Sequence, residues 1–150
     1  MINDNIVAVE LTAEEVQKAV KKIKELQTTL QGQLVALQPR QRQELPKMSD
    51  RTLPFVEKVI GYADSRPEFV PFYLSVEEMK IDFQAVNDLK QILREAQQLC
   101  TALNDTVMLS GSEAYTAALA YYSSVKQAAA NNVPHAQDVY EDLKKRYEKK

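Results

Sequence analysis

Few side chains in this sequence have the type and spacing for chemistry, and each can be weighed on its own terms. The one histidine, His135, follows Pro134. Bundle proteins that bind two metal ions use Glu-x-x-His motifs on two helices, with further glutamates. Here no Glu stands three residues before His135, so it reads as a surface side chain. The one cysteine, Cys100, can form neither an intramolecular disulfide nor a cysteine-based zinc site. It falls on an apolar stripe, which predicts a buried, inert thiol. Asp105, Ser110, Ser112, Glu113 and Tyr115 cluster around Gly111. A turn there would gather a small polar pocket, and a helix starting at Ser112 could hold an anion on its free N–H groups. Capping and ordinary packing account for the same residues. The small-molecule or anion reading, with Asp105, Ser112, Tyr115 and Tyr122 as candidate ligand-binding residues, is therefore the alternative. No nucleophile–base–acid set is suggested, since nothing brings His135 to a serine.

Other groups have plainer readings. The carboxylates Glu77, Glu78, Asp82, Asp88 and Glu95 fall mostly between apolar positions, as a solvated helix face requires. Arg40, Arg42, Lys47 and Arg51 form a local basic cluster, diluted by Glu44 and Asp50 and lacking interleaved aromatics. The formal net charge is −2, from 19 basic and 21 acidic residues. That gives no broad positive field for nucleic acid and no polybasic membrane patch. Three well-separated glycines exclude a glycine-rich phosphate loop. Among the seven tyrosines, Tyr115, Tyr122, Tyr140 and Tyr147 lie on inward-reading stripes and are expected to pack in a core. No catalytic residue, metal or cofactor is assigned, and an enzyme is not the expected reading.

The elements that would position these groups are helices. At 150 residues and 45% hydrophobic content, the chain fits one globular domain. Residues 1–11, with the apolar patch Ile6-Val7-Ala8-Val9, read as an arm, flexible or docked. Thr12 and Glu15 form a capping box. Behind it Val16, Val20, Ile23, Leu26, Leu30, Leu34 and Leu37 predict a first helix over about 13–37, ended by Pro39. Residues 38–49 read as a connection, with a turn of helix near Gln41–Glu44. A second helix is expected over about 51–65, with Pro54 in its first turn. Ser75 and Glu78 form another capping box. Val76, Met79, Phe83, Val86, Leu89, Leu93, Ala96, Cys100, Leu103 and Val107 then predict a third helix over about 76–110. Gly111 reads as its stop and Ser112 as the cap of an alanine-rich fourth helix, about 113–131. A fifth, about 134–148, follows Pro134. The expectation is an all-α, antiparallel four-helix-type bundle with a shorter fifth C-terminal helix, and a central hairpin turning at Gly111.

Between helices two and three lies Pro67-Glu68-Phe69-Val70-Pro71-Phe72-Tyr73-Leu74. Two prolines forbid a helix, and the apolar groups are too many to leave in water without a reason. They either cap the bundle's end or touch a partner chain, so Phe69, Phe72 and Tyr73 are the candidate partner-binding residues.

Four motifs occur in order: Leu45-Pro46-Lys47-Met48, Phe55-Val56-Glu57-Lys58, Gly111-Ser112-Glu113-Ala114-Tyr115, and Tyr140-Glu141-Asp142-Leu143-Lys144. Together, over about residues 45–147, they resemble a group of small, uncharacterised, all-helical bacterial proteins. The resemblance implies a bacterial, cytosolic, four-helix-type bundle and carries over no activity, cofactor or site residue. The expected function is a non-enzymatic interaction or structural module, with a protein partner or a second copy as its ligand. Neither nucleic acid nor membrane is expected as a partner, and a cytoplasmic location is.

Overall fold

The computed structural model describes residues 8–148. It is all-helical, with no strand among those residues. Five α-helices follow in order: α1 Ala13–Thr29, α2 Pro39–Glu44, α3 Leu53–Ser65, α4 Val76–Ala130 and α5 Ala136–Glu148, with a 3-10 turn at Pro67–Phe69. Ile6 and Val7 of the expected N-terminal arm lie outside the described residues.

The chain divides into two compact units, one comprising Thr12–Gln98 and the other containing Leu99–Lys150. The first opens on the Thr12 capping box. The Thr12 hydroxyl accepts from the Glu15 N–H at 3.1 Å, and the Glu15 carboxylate accepts from the Thr12 N–H at 2.8 Å. Helix α1 then stops at Thr29, well short of the expected 37. Gly32, at φ +86°, is the reason: a glycine takes the left-handed conformation at little cost. The stop is reinforced by Thr28 and Thr29, weak helix formers whose hydroxyls donate back to the Lys24 and Glu25 carbonyls. Pro39 instead opens α2.

Helix α3 carries Pro54 in its first turn, where a missing N–H is harmless. It runs antiparallel to the start of α4. Asp64 meets Lys80 at 2.7 Å, while Asp50, just before α3, meets Lys90 at 3.4 Å. One residue number falls as the other rises. Both pairs are exposed to solvent, which screens them, so they contribute little to stability. The hydrogen bond from Asp64 raises the Lys80 pKa above its ordinary value. Ser75 starts α4 by accepting from the Glu78 N–H at 3.2 Å.

Helix α4 corrects the expected hairpin. It runs unbroken through Gly111 for 55 residues. A single glycine costs a helix only about 1 kcal/mol. Behind Gly111 come Ala114, Ala117, Ala118 and Ala120, the strongest helix formers, so continuing wins. The true stop is Asn132, at φ +56°. The Val133 N–H donates to the Ala128 carbonyl at 3.0 Å and the Asn132 N–H to that of Ala129 at 3.1 Å. These paired bonds form the Schellman closure of a helix end.

Within the second unit, α5 folds back on the end of α4. Tyr122 stacks on Tyr140 with ring centroids 5.7 Å apart and meets Tyr147 at 5.3 Å. Helix α5 begins two residues later than expected, because His135 has φ +71° and cannot join it. Ala136 is the one buried hydrophobic residue among those described. Cys100 is exposed rather than buried, because no described residue outside α4 covers its part of the stripe. Tyr115 is exposed for the same reason.

Candidate functional site: an aromatic corner between α3 and α4

The sharpest local feature lies within the first unit, where α3 turns into α4. Pro67 opens the 3-10 turn after α3, and the Val70 N–H donates to the Pro67 carbonyl at 3.0 Å. Pro71 starts the next bend, closed by the Leu74 N–H on its carbonyl at 3.0 Å. The two prolines fix φ and remove N–H donors, so the chain here cannot continue either helix. Both turns are held by backbone bonds, and Phe69, Phe72 and Tyr73 project from them.

These rings do not cap a bundle end. Phe72 is 100% exposed, Tyr73 79% and Phe69 78%. Phe72 and Tyr73 meet edge to face, with centroids 5.5 Å apart and planes at 83°. Such a pair limits the freedom of both rings. Two grooves flank the corner. One, of about 430 Å³, lies between the last turns of α3 and the bend; Val59, Tyr62, Ala63, Phe69, Val70 and Leu74 line it, with Arg66 at its edge. The other, also about 430 Å³, runs along the α3–α4 seam between Met48, Val56, Tyr73, Met79, Phe83 and Val86. Phe69 and Tyr73 thus each form one wall of an apolar groove. Tyr62 did not stand out in the sequence, while Val59 read only as part of the second helix's apolar face and Met48 only as part of a motif. The signal that could have found them is the spacing of Pro67 and Pro71, which folds the corner against the last turns of α3.

The other sequence-derived candidates are not drawn together. Asp105, Ser112, Tyr115 and Tyr122 all lie on α4, and its rise separates the first from the last by about 25 Å. With Gly111 inside the helix, the expected turn is absent and Ser112 caps no helix start. Tyr122 belongs instead to the tyrosine cluster with α5. Burial raises its pKa above the ordinary phenol value, and a hydrogen bond with Tyr140 adds to the shift. His135 is exposed. Among the described residues no group of three or more His, Cys, Asp or Glu side chains could hold a metal ion. No helix among them is long and apolar enough to cross a membrane.

What the corner can do is make contact. It presents three aromatic rings and two grooves, lined also by the charged side chains Arg66, Glu78 and Asp82. Searches for similar proteins found no matching family model, curated protein or solved structure.

Proposed function

We propose that this chain is a non-enzymatic interaction module that docks a protein partner on its aromatic corner. The observation that supports this is the near-complete exposure of Phe69, Phe72 and Tyr73 on a bend held by two backbone-bonded turns. Burying one such ring against a partner contributes on the order of 2 kcal/mol. A cluster of aromatics beside an apolar groove is the composition of an interface hot spot. In this reading the antiparallel four-helix packing expressed in the sequence pattern is reached only when helices of another chain lie on the open stripes.

The test is site-specific photocrosslinking in the source cell from position 72, with position 35 as control. Val35 is 86% exposed and lies outside the corner. A discrete protein adduct from 72 and none from 35 is expected. Replacing Phe69 and Tyr73 by Ser should abolish the adduct while leaving the thermal melt in place. Equal crosslinking from both positions, or none from 72, would sink the reading.

A further inference from the structure

Two elements of the first unit, helix α1 and the α3–α4 seam, each leave an apolar surface open. On α1 the stripe Val16, Val20, Ile23 and Leu26 is exposed, each side chain at 43–45%. A helix of 17 residues is marginal in water by itself, and packing of its apolar face supplies most of its stability. In its own chain that face stays open. The connection behind it is taken up by the Gly32 turn, where the Gln33 N–H donates to the Leu30 carbonyl at 3.0 Å, and by α2.

The groove on the seam fits this helix in size and in charge. Its α4 wall runs from Ser75 to Val86, a rise of about 16 Å, and the α1 stripe from Val16 to Leu26 rises about 15 Å. The groove presents the large side chains Met48, Tyr73, Met79 and Phe83, whereas the stripe is built mainly from Val16, Val20 and Ile23, with Ala19 beside them. Small branched groups set between large ones give close packing. Glu78 and Asp82 stand one turn apart on the α4 wall. At about 100° per residue, Lys22 and Lys24 fall on the two flanks of the α1 stripe, while Glu14 and Glu25 fall opposite it. Glu15, on one flank, is engaged by the Thr12 N–H. Among the described residues no ion pair holds the side chain of Glu78, Asp82, Lys22 or Lys24. Docking α1 in the groove sets ammonium groups beside these carboxylates.

Every copy of the chain carries one such helix and one such groove. Two copies that exchange helices fill both grooves and leave neither stripe open, and the reciprocal contact closes about a two-fold axis. An unrelated partner in the groove would leave the α1 stripe bare.

We infer that α1 of one copy docks in the α3–α4 groove of a second copy of this chain, and that the exchange is reciprocal. The inference deepens the proposed function by naming what one of the corner's two grooves takes, and it rests on that reading through Tyr73, the ring that corner and groove share.

Sedimentation equilibrium of the full chain tests it. The wild type should sediment at twice the 17.0 kDa of one chain. Ile23→Glu puts a carboxylate on the docking stripe and should weaken the dimer on the order of a hundredfold. A surface variant guards against a folding defect. Glu78→Lys with Asp82→Lys sets like charges together and should weaken the dimer about tenfold or more. Adding Lys22→Glu and Lys24→Glu returns opposite charges and should restore it. The two defects should also complement one another. The Ile23→Glu chain keeps an intact groove and the charge-reversed chain an intact stripe, so their mixture should associate more tightly than either alone. A monomeric wild type at high concentration overturns the inference. So does a dimer that survives both Ile23→Glu and the charge reversal, or a mixture that associates no better than its components. Crosslinking from position 72 reads the corner separately. An adduct from 72 on a monomeric chain sinks this inference alone, and a dimer that obeys these variants with no adduct from 72 sinks the proposed function alone.

Discussion

Two glycines in this chain behave in opposite ways. Gly32 ends α1 in the left-handed conformation, while Gly111 sits in the interior of α4 in ordinary helical geometry. Neither is required by crowding, since a methyl group at either position would meet nothing within 4 Å. The difference lies in their neighbours. Gly32 follows two threonines, β-branched residues with low helix propensity, and the apolar residues just beyond it, Leu34, Val35 and Leu37, are exposed. Gly111 is followed by a run rich in alanine, with no proline before Pro134. A glycine therefore offers a stop that the flanking residues accept or refuse.

The strongest way to break the comparison is Gly111→Pro. Proline removes an interior hydrogen bond and clashes with the preceding turn, so α4 should lose about 3 kcal/mol or more. Circular dichroism should show reduced helix content and a lower midpoint. A melt like the wild type's would mean that the helix was already broken at 111. Next comes Gly32→Ala, which forces a side chain into the left-handed region at a cost of about 1–2 kcal/mol. Denaturant titration of the full chain should show the midpoint falling; a rise would mean that α1 extends past Gly32.

Gly111→Ala sharpens the contrast from the other side. It should stabilise by about 1 kcal/mol, since the added methyl group enters open space within a helix. The same substitution would thus carry opposite signs at the two glycines, and equal signs would remove the distinction. The smallest effect is expected in alkali. The Tyr122 pKa is raised above its ordinary 10.0, chiefly by burial. The unfolded phenol therefore loses its proton first. The stability this shift brings is fully present below about pH 10 and is lost as pH rises through the folded value. Melts at rising alkaline pH should show the Tyr122→Phe variant declining less steeply than the wild type. Parallel declines would place the Tyr122 ring outside the cluster.

Much of the local structure was legible in the sequence. The Thr12 capping box, the start of α3 around Pro54 and the bend between Pro67 and Pro71 each depend on residues a few positions apart. The all-helical class followed from periodicity alone. What was not legible depends on balance or on distant partners. At Gly111 a good stop signal competed with alanine propensity, and the sequence does not print the margin. The stop at Asn132, by contrast, was legible as a helix end near 131; its side chain tolerates the left-handed conformation and Val133 closes the helix end. Cys100 and Tyr115 illustrate the second kind of gap. A stripe shows which face seeks cover, not whether the same chain supplies it. The candidate pocket depended on the Gly111 turn and went with it. The bend that carries the three aromatics depended only on local prolines and forms where they stand, whereas the choice between capping and contact was not legible in it.

The tyrosine cluster at the α4–α5 junction has an optical consequence. The chain contains no tryptophan, so tyrosines dominate its near-ultraviolet signal. Rings 5.3 and 5.7 Å apart lie close enough to exchange excitation, and Lys144 sits 6.0 Å from the Tyr140 ring centre. Undocking of α5 would separate Tyr122 from its two neighbours and change both the dichroic band and the polarisation of the emitted light. The molecule carries an unlabelled gauge of one of its own joints, readable while the rest of α4 is free or occupied.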